Sequence, residues 1–374
     1  MEPEGLYYIV SNETAYGKEI ASRHPKNVKL VKGDVRDTYD LLLLPEVQEF
    51  IDGLKADVLV FQNTLRIERL SKEKNWNLLN PSASLSKTVE EKISQITWLD
   101  TDAKFLPPFV ITTLKEVNFS GKRFVLQFNH AHTGQGTYVI DSSEALENLK
   151  SKFPHRECRV TDFIDGPVFT ANVSLGREIV LGNPSYQITG ISPFTDMPFS
   201  TIGNDWALPK KDQYKAVIID MTTIAQAVGV RLKKFGWKGL FGIDVIYDPK
   251  KKKTYLLEIN ARQPASTTFE SQLQKNISSD SPTMFEEHIA ALLGLETKGS
   301  LPEIKGAQIV KRVTKETYDV DVAALESKDL FVMAYENNGH NKELFRIQAT
   351  AGIMETHNKL GELGTFIRSC IRKI

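Results

Sequence analysis

The stretch that decides the fold of this chain is residues 239–262, GLFGIDVIYDPKKKKTYLLEINAR. Two apolar runs flank the turn PKKKK, which predicts a β-hairpin. If the turn occupies those five residues, Asp248 pairs with Thr254, and the same register places Asp244 opposite Glu258. The hairpin therefore brings two carboxylates to one face.

Opposed carboxylates repel each other across a sheet, so we expect a positive group between them. Residues two apart share a face, which adds Asn260 and Arg262 to Glu258. Asp244, Glu258 and Asn260 form an all-oxygen set that suits Mg²⁺ or Mn²⁺, and a neighbouring arginine can hold a phosphate bidentately. The alternative is a half-exposed hairpin in which Arg262 neutralises the acids, but this leaves Asn260 and the close-packing Gly242 unexplained.

Composition narrows the class of protein. A chain of 374 residues, 41% hydrophobic and 25% charged, predicts two or three packed globular units. Forty-seven basic residues balance forty-seven acidic ones, so we expect no nucleic-acid or membrane partner. Cys158 and Cys370 suggest neither a disulfide framework nor a cysteine metal site. With an acidic N-terminus and no signal-peptide core, a cytoplasmic location is expected.

The first hundred residues alternate strand-like and helical stretches, which predicts a small Rossmann-like parallel sheet. No GxGxxG follows the first strand, so a dinucleotide site is not expected there. The predicted strands are 6–10, 28–31 and 58–61, and the predicted helices are 16–22 and 44–54.

The middle of the chain predicts an α+β unit. A helix over about 86–99 leads to Pro107-Pro108, which marks a boundary. The elements predicted after it are a strand over 124–128, a small-residue loop over 130–137, a strand over 138–140, a helix over 142–153 and a strand over 158–164.

Residues 181–209 contain scattered prolines and little periodicity, which indicates a long functional loop or lid. Gln187 and Asn204 are its polar candidates for facing a substrate, although polar loop residues usually face water. Apolar residues spaced by three and four then predict an amphipathic helix from Val217 to Phe235. A terminal helix is predicted over 360–371.

The patterns Phe-Gly-x-Asp, ending at Asp244, and Glu-Ile-Asn-x-Arg, starting at Glu258, resemble the metal-binding core of the ATP-grasp superfamily. That superfamily includes biotin carboxylase, carbamoyl-phosphate synthetase and the amino-acid ligases. The resemblance runs from about residue 86 to residue 293. It implies a pre-ATP-grasp domain over 1–100, an ATP-grasp domain over 101–298 with lobes of about 105–165 and 166–298, and a C-terminal α/β segment over 299–374.

The resemblance also implies nucleotide-binding residues. The predicted small-residue loop resembles the glycine-rich loop that covers the triphosphate, although by itself its sequence also fits an ordinary hairpin tip. The end of the strand predicted over 158–164 resembles the linker that binds the adenine, and a plain strand end is the alternative. Lys92 matches the lysine that many members direct toward the phosphates, and Lys87 competes with it. The loop residues are Thr133, Gly134, Gln135, Gly136 and Thr137, and the linker residues are Asp162, Phe163 and Ile164.

Two positions depart from the family pattern. Gln127 stands where most members carry a second phosphate-binding lysine, and Val168 stands where relatives often have an acidic residue. An amide still donates hydrogen bonds to phosphate but supplies no charge, and charge-assisted bonds are about twice as strong. We therefore expect Gln127→Lys to be tolerated and to tighten ATP binding.

The resemblance implies a ligase that uses ATP and Mg²⁺ (or Mn²⁺) to activate a small-molecule or peptide carboxylate as an acyl phosphate, which an amine or other nucleophile attacks. Glu258, Asn260 and Arg262 would be catalytic. The alternatives are a carboxylase-like enzyme that activates bicarbonate, a non-catalytic ATP-binding regulatory protein, and a kinase-like or hydrolytic use of ATP. A homodimer is compatible with each of them.

Overall fold

The N-terminal region forms a small α/β unit. A computed structural model describes residues 7–129 and 136–374 of the chain. Strands β1 and β2 pair in parallel, as predicted, and pack with the helices around a separate apolar core that includes Val31, Val47 and Ile67. The elements are β1 (Ile9–Asn12), α1 (Ala15–Arg23), β2 (Val28–Val31), α2 (Thr38–Leu42), α3 (Pro45–Leu54), α4 (Leu65–Glu73), α5 (Ala83–Glu90) and α6 (Ser94–Leu99).

Two predictions for this region are wrong. Residues 58–61 form no strand but a single bridge from Val58 to Leu78. The helix predicted over 86–99 is two helices, because the chain bends between Glu90 and Ser94. Lys92 therefore lies at a bend and not on a helix surface.

The next unit is a four-stranded antiparallel sheet in the order β3-β6-β4-β5, covered by α7. It has its own core, which includes Leu126, Phe128 and Leu146. The predicted order of two strands, a helix and a third strand is confirmed, while residues 130–135 of the predicted loop lie outside the described residues. The elements are β3 (Phe109–Thr113), β4 (Phe124–Phe128), β5 (Thr137–Ile140), α7 (Ser143–Lys152) and β6 (Glu157–Asp162).

The largest sheet of the described chain has nine strands, ordered β12-β11-β7-β9-β10-β13-β16-β15 with β8 paired to β7. The amphipathic helix predicted from Val217 is α8, which packs on this sheet through Val217, Met221 and Ile224 among others. The elements up to residue 293 are β7 (Val168–Leu175), β8 (Ile179–Leu181), β9 (Ser185–Thr189), β10 (Thr201–Asp205), α8 (Lys215–Lys234), β11 (Gly239–Asp248), β12 (Lys253–Asn260), α9 (Thr267–Ile277) and α10 (Met284–Leu293).

The prediction of a long loop or lid over 181–209 is wrong where the chain forms β9 and β10, while residues 190–200 between these strands do form a loop. Strands β9 and β10 lie inside the sheet, and Asn204 on β10 is buried opposite Gln187 on β9. Asn204 donates to Ser185 and accepts from Gln308. The prolines of this segment lie outside the strands. They restrict the backbone of the connecting turns and do not remove hydrogen bonds between strands.

The C-terminal segment continues the same sheet, since β10 pairs with β13 and β13 with β16. The sheet therefore crosses the boundary that we predict near residue 299, and the domain limits remain predictions. The elements are β13 (Ala307–Arg312), β14 (Tyr318–Val320), α11 (Val322–Glu326), β15 (Phe331–Ala334), β16 (Glu343–Ala349), β17 (Met354–Thr356), β18 (Lys359–Leu360), α12 (Glu362–Ser369) and β19 (Ile371–Lys373).

Short 3-10 helices span Asp100–Phe105, Leu114–Glu116, Leu208–Lys210 and Asp212–Tyr214. Of the helices in the described ranges, none has the length and apolar character needed to cross a membrane.

Candidate active site

The β11–β12 hairpin places Asp244 opposite Glu258, as predicted, but the register at the turn differs. Asp248 pairs with Lys253 and not with Thr254. A β-bulge then restores the predicted pairing of Asp244 with Glu258. Val245 pairs with Leu256 and the preceding residue, Asp244, pairs with Glu258, so Leu257 has no partner on β11. The strand thus carries one extra residue, which bends it and re-aims the side chains that follow.

The bulge interrupts the alternation of faces on β12. Tyr255 and Leu256 are both buried although they are adjacent, and Leu257 is only half-buried. Beyond the bulge, buried Ile259 separates the half-buried Glu258 and Asn260. The polar side chains of β12 are therefore collected at the end of the strand that faces Asp244.

Asp244 is a buried acid with two neutral hydrogen-bond partners. The Nδ2 of Asn260 donates to its Oδ2 at 3.3 Å, and Thr170, its register partner on β7, also hydrogen-bonds to it. Burial, followed by the negative charge of Glu258, raises the pKa of Asp244 to about 6. A site that disfavours a second negative charge in this way is one that a cation would stabilise.

Glu258 is paired with Lys92, whose Nζ donates to Oε1 at 2.9 Å. Burial raises the pKa of Glu258, but Lys92, Arg262 and Arg159 more than offset this and hold the pKa below its ordinary value. Lys92 itself is only 8% exposed. The two carboxylates of the hairpin therefore differ, since Lys92 donates a hydrogen bond to Glu258, whereas no Lys or Arg within residues 7–129 and 136–374 forms an ion pair with Asp244.

The bend that carries Lys92 is held by Asn129, at the end of β4. The Oδ1 of Asn129 accepts from the backbone N–H groups of Ile93 and Ser94 at 2.8 and 3.1 Å, and its Nδ2 donates to Glu91 at 3.0 Å. The first two of these bonds give acceptors to backbone N–H groups at the start of α6, which have no partner within the helix. Nothing in the sequence indicates this contact, because the residues are 36 and 35 positions apart.

Arg262 lies at the same end of the hairpin and forms an ion pair with Glu90, at the end of α5. Gly242 on β11 pairs with Asn260 and leaves room for Pro264, because an added Cβ would lie 2.8 Å from the proline Cγ. The close packing that the sequence suggested for Gly242 is therefore present. It fixes the chain beyond β12 against the hairpin.

Gln127 lies in the four-stranded sheet, where its register partner on β6 is Arg159. Its Oε1 accepts from the Nε and Nη2 of Arg159 at 3.0 and 2.6 Å, and its Nε2 donates to Thr137 at 3.3 Å. Burial lowers the pKa of Arg159 to about 10, while the charge of Glu258 raises it. Arg159 was not among the predicted site residues, because the strand order that pairs it with Gln127 cannot be predicted from the sequence.

Part of the predicted glycine-rich loop is described. Gly136 is buried and its carbonyl accepts from the backbone N–H of Phe128 at 2.8 Å, while Thr137 begins β5. Thr133, Gly134 and Gln135 lie outside the described residues. The described part of the loop adjoins Gln127.

The predicted adenine-binding residues connect the two sheets. Asp162 ends β6, and β7 begins at Val168. Phe163 contacts Phe199 edge-on at 6.1 Å, and the guanidinium of Arg123 lies 4.8 Å from its ring centroid. Ile164 is half-buried. Gly166 permits a close approach to β11, because an added Cβ would lie 1.9 Å from the carbonyl oxygen of Tyr247.

The chemistry of the donors fits a divalent cation. Within residues 7–129 and 136–374 no group of three or more His, Cys, Asp and Glu side chains is placed to hold a metal. The candidate set instead combines two carboxylates with the amide oxygen of Asn260, and magnesium usually completes its shell with water and phosphate oxygens. The raised pKa of Asp244 marks where positive charge is lacking.

Comparison with known proteins gives matches by structure alone. No protein-family model matches this sequence, and no curated protein sequence matches it. An L-amino acid ligase from Bacillus licheniformis superimposes with a TM-score of 0.67 and 14% identity, covering 98% of both chains. An N5-carboxyaminoimidazole ribonucleotide synthetase from Thermus thermophilus gives 0.63 and 16% identity, covering 93% of this chain and 88% of the other. An Aspergillus clavatus N5-carboxyaminoimidazole synthase, solved with ADP and 5-aminoimidazole ribonucleotide, gives 0.64 and 14%, covering 97% of each.

Proposed function

We propose that this chain, which has the fold of the ATP-grasp enzymes, is an ATP-dependent ligase that converts a carboxylate to an acyl phosphate and passes the acyl group to a nucleophile. The observation that carries the proposal is the convergence at one end of the β11–β12 hairpin. Opposed Asp244 and Glu258 meet there with Lys92 from the N-terminal region and Arg262 from the segment after β12.

The residues of the large sheet would position the metal and the phosphates. Asp244, Glu258 and Asn260 would hold Mg²⁺ or Mn²⁺ through oxygen atoms. The metal, when bound, neutralises phosphate charge during transfer of the γ-phosphoryl group. Phosphate binding would release Lys92 from Glu258 so that its ammonium group contacts a phosphate oxygen. Arg262 would supply a second positive charge where the acyl phosphate forms.

The residues of the four-stranded sheet and the linker would hold the nucleotide. Thr137 and Gly136 stand at the end of the loop proposed to cover the triphosphate, and Gln127 lies directly beside them. The backbone of Asp162 to Ile164 would contact the adenine edge, and the apolar side chains of Phe163 and Ile164 would face the ring. This catalysis depends on positioning and electrostatics, so it needs no dedicated general base.

The structural neighbours set the first substrates to test. One is an L-amino acid ligase, and another was solved with ADP and 5-aminoimidazole ribonucleotide. We therefore propose a screen of amino-acid pairs, and of 5-aminoimidazole ribonucleotide with bicarbonate, for release of ADP and phosphate from Mg-ATP. The mass of the product then identifies the bond formed.

The outcomes separate the proposed ligase from its alternatives. ADP release that requires both a carboxylate and a nucleophile supports the ligase. AMP and pyrophosphate as products would refute the acyl-phosphate route. ATP binding without turnover on any acceptor would favour the regulatory alternative, and turnover without an acceptor would favour hydrolysis.

A further inference from the structure

We propose that Arg159 is a phosphate-binding residue of this site, and that Gln127 orients it for that role. The proposal rests on the proposed function, since it concerns how the chain binds ATP. In this proposal, Arg159 on the neighbouring strand β6 supplies the positive charge that most family members have as a lysine at the position of Gln127.

The first observation is that the arginine is buried and only partly paired. Arg159 is 2% exposed. Its Nε and Nη2 both donate to the Oε1 of Gln127, which fixes the plane of the guanidinium. The Nη1 is also buried, and no acceptor for it lies among the residues that the structure describes. Buried donors of this kind are rarely left without a partner, so this one points to a ligand.

The second observation is where the guanidinium lies. Gln127, which holds it, also donates to Thr137, at the end of the loop proposed to cover the triphosphate. On the other side, Arg159 and Glu258 are close enough for each charge to shift the pKa of the other. The arginine therefore lies beside the described end of the proposed phosphate loop, and its charge acts on Glu258, one of the proposed metal ligands.

A purely structural role explains these contacts less well. Removing a cation from water is costly unless it is paired, and a neutral amide supplies no opposite charge. The hydrogen bond of Glu258 goes to Lys92. A phosphate oxygen would satisfy the Nη1 donor and give the guanidinium a negatively charged hydrogen-bond partner.

This arrangement reverses the expectation for Gln127→Lys. An ammonium group cannot accept the two hydrogen bonds from Arg159, and it would place a second positive charge beside the buried guanidinium. We now expect Gln127→Lys to weaken ATP binding while Arg159 is present. The same lysine should help once Arg159 is removed.

The test is a set of charge-moving variants with measured dissociation constants for ATP and adenosine. Arg159→Met, alone or with Gln127→Met, should weaken ATP binding by about 10- to 100-fold, as expected for a lost charged hydrogen bond. The pair Gln127→Lys with Arg159→Met should recover most of that loss. Adenosine, which has no phosphate, should bind all variants within about twofold of the wild type.

Arg312→Met is the matched control, since this arginine lies on β13, four strands from β11 in the large sheet, and is also only partly paired: its Nη1 and Nη2 donate to backbone carbonyls of Asn341 and Thr201, and its Nε is buried. It should bind ATP as the wild type does. If Arg159→Met alone does not fold, the comparison of the two double variants still decides, because they differ only in whether position 127 carries a charge.

Two results would overturn the assignment. One is ATP binding at wild-type strength by the double methionine variant. The other is an equal loss of ATP and adenosine, which would indicate a structural role. Failure of the wild type to bind ATP would instead refute the proposed function, and it is measured first.

Discussion

The candidate site has an acidic side and a basic side, and the two are built differently. The acidic side is the β11–β12 hairpin, whose strands adjoin in sequence around one tight turn. The basic side is the β4–β6 pair, in which Gln127 and Arg159 are 32 positions apart with β5 and α7 between them. A tight turn between two strands limits which residues can pair, so the pairing can be predicted from the sequence. When the two strands are far apart in the chain, the sequence does not show that they pair. The sequence therefore predicted the facing acids but did not predict Arg159 beside Gln127.

Replacing Glu258 with glutamine should have the largest effect. We expect turnover to fall by about 100-fold or more, because the metal loses a charged ligand. The wild type should gain thermal stability from Mg-ATP, and the variant should gain much less. Turnover and a thermal shift both equal to those of the wild type would remove the metal site from the proposal.

Glu258→Gln should also lower the stability of the ligand-free protein. Repulsion from Asp244 alone would predict a gain, but the variant leaves the buried ammonium of Lys92 without its ionic partner. Because the Glu258 side chain is 40% exposed, we expect a loss of only about 1 to 2 kcal/mol. Adding Lys92→Met should recover part of this loss in denaturant unfolding, and strictly additive losses would show that the two side chains are not coupled.

Glu270 is a buried acid that differs from Glu258, because it accepts hydrogen bonds from Asn172 and Asn183 and pairs with no Lys or Arg in the part of the chain that the structure describes. Burial raises its pKa to about 7, so the folded state keeps a proton that the unfolded state has released above pH 4.5. Stability should therefore fall by about 3 kcal/mol as the pH rises from 4.5 through 7.

Glu270→Gln should remove this pH-dependent loss of stability. The free energy of unfolding of the variant should therefore rise relative to that of the wild type between about pH 5 and pH 8. Urea unfolding at the two pH values measures it. A difference between variant and wild type that does not change with pH would contradict the assignment of this slope to Glu270.

Gly242→Ala tests the packing of the acidic hairpin without changing its charge. The added methyl would lie 2.8 Å from Pro264, so we expect a loss of about 1 to 2 kcal/mol in unfolding free energy. Because Gly242 is the partner of Asn260, Mg-ATP binding should weaken somewhat as well. Unchanged stability would mean that the proline moves aside freely.

Lys251→Ala should have the smallest effect. Its ammonium is half-exposed and lies 3.6 Å from Asp162, at the proposed adenine linker. Exposed pairs of this kind contribute less than about 1 kcal/mol, so stability and ATP affinity should barely change. A large loss of ATP affinity would indicate that the lysine turn, and not only the linker backbone, contacts the nucleotide.

The errors in the sequence analysis share a physical cause. The lid prediction for 181–209 failed over two short strands, which the prolines of the flanking turns obscured; they pair with each other and with β7 and β13, which lie outside the segment. The prediction of one helix over 86–99 missed the bend between α5 and α6, because this bend is stabilised by Asn129, which follows β4 and is distant in sequence. The facing pair Asp244 and Glu258 was predicted correctly, yet only because the bulge offset a one-residue error at the turn.

The pairing of β10 with β13 limits how the chain can be shortened. A protein ending near residue 298 would keep every proposed site residue but would leave β10 as an open edge of its own sheet. Gly203 would lose its register partner Ile309, and the N–H and C=O groups of the strand would become available to other copies. Such a fragment should aggregate, so we expect the segment after residue 298 to prevent association of the protein through the edge of β10.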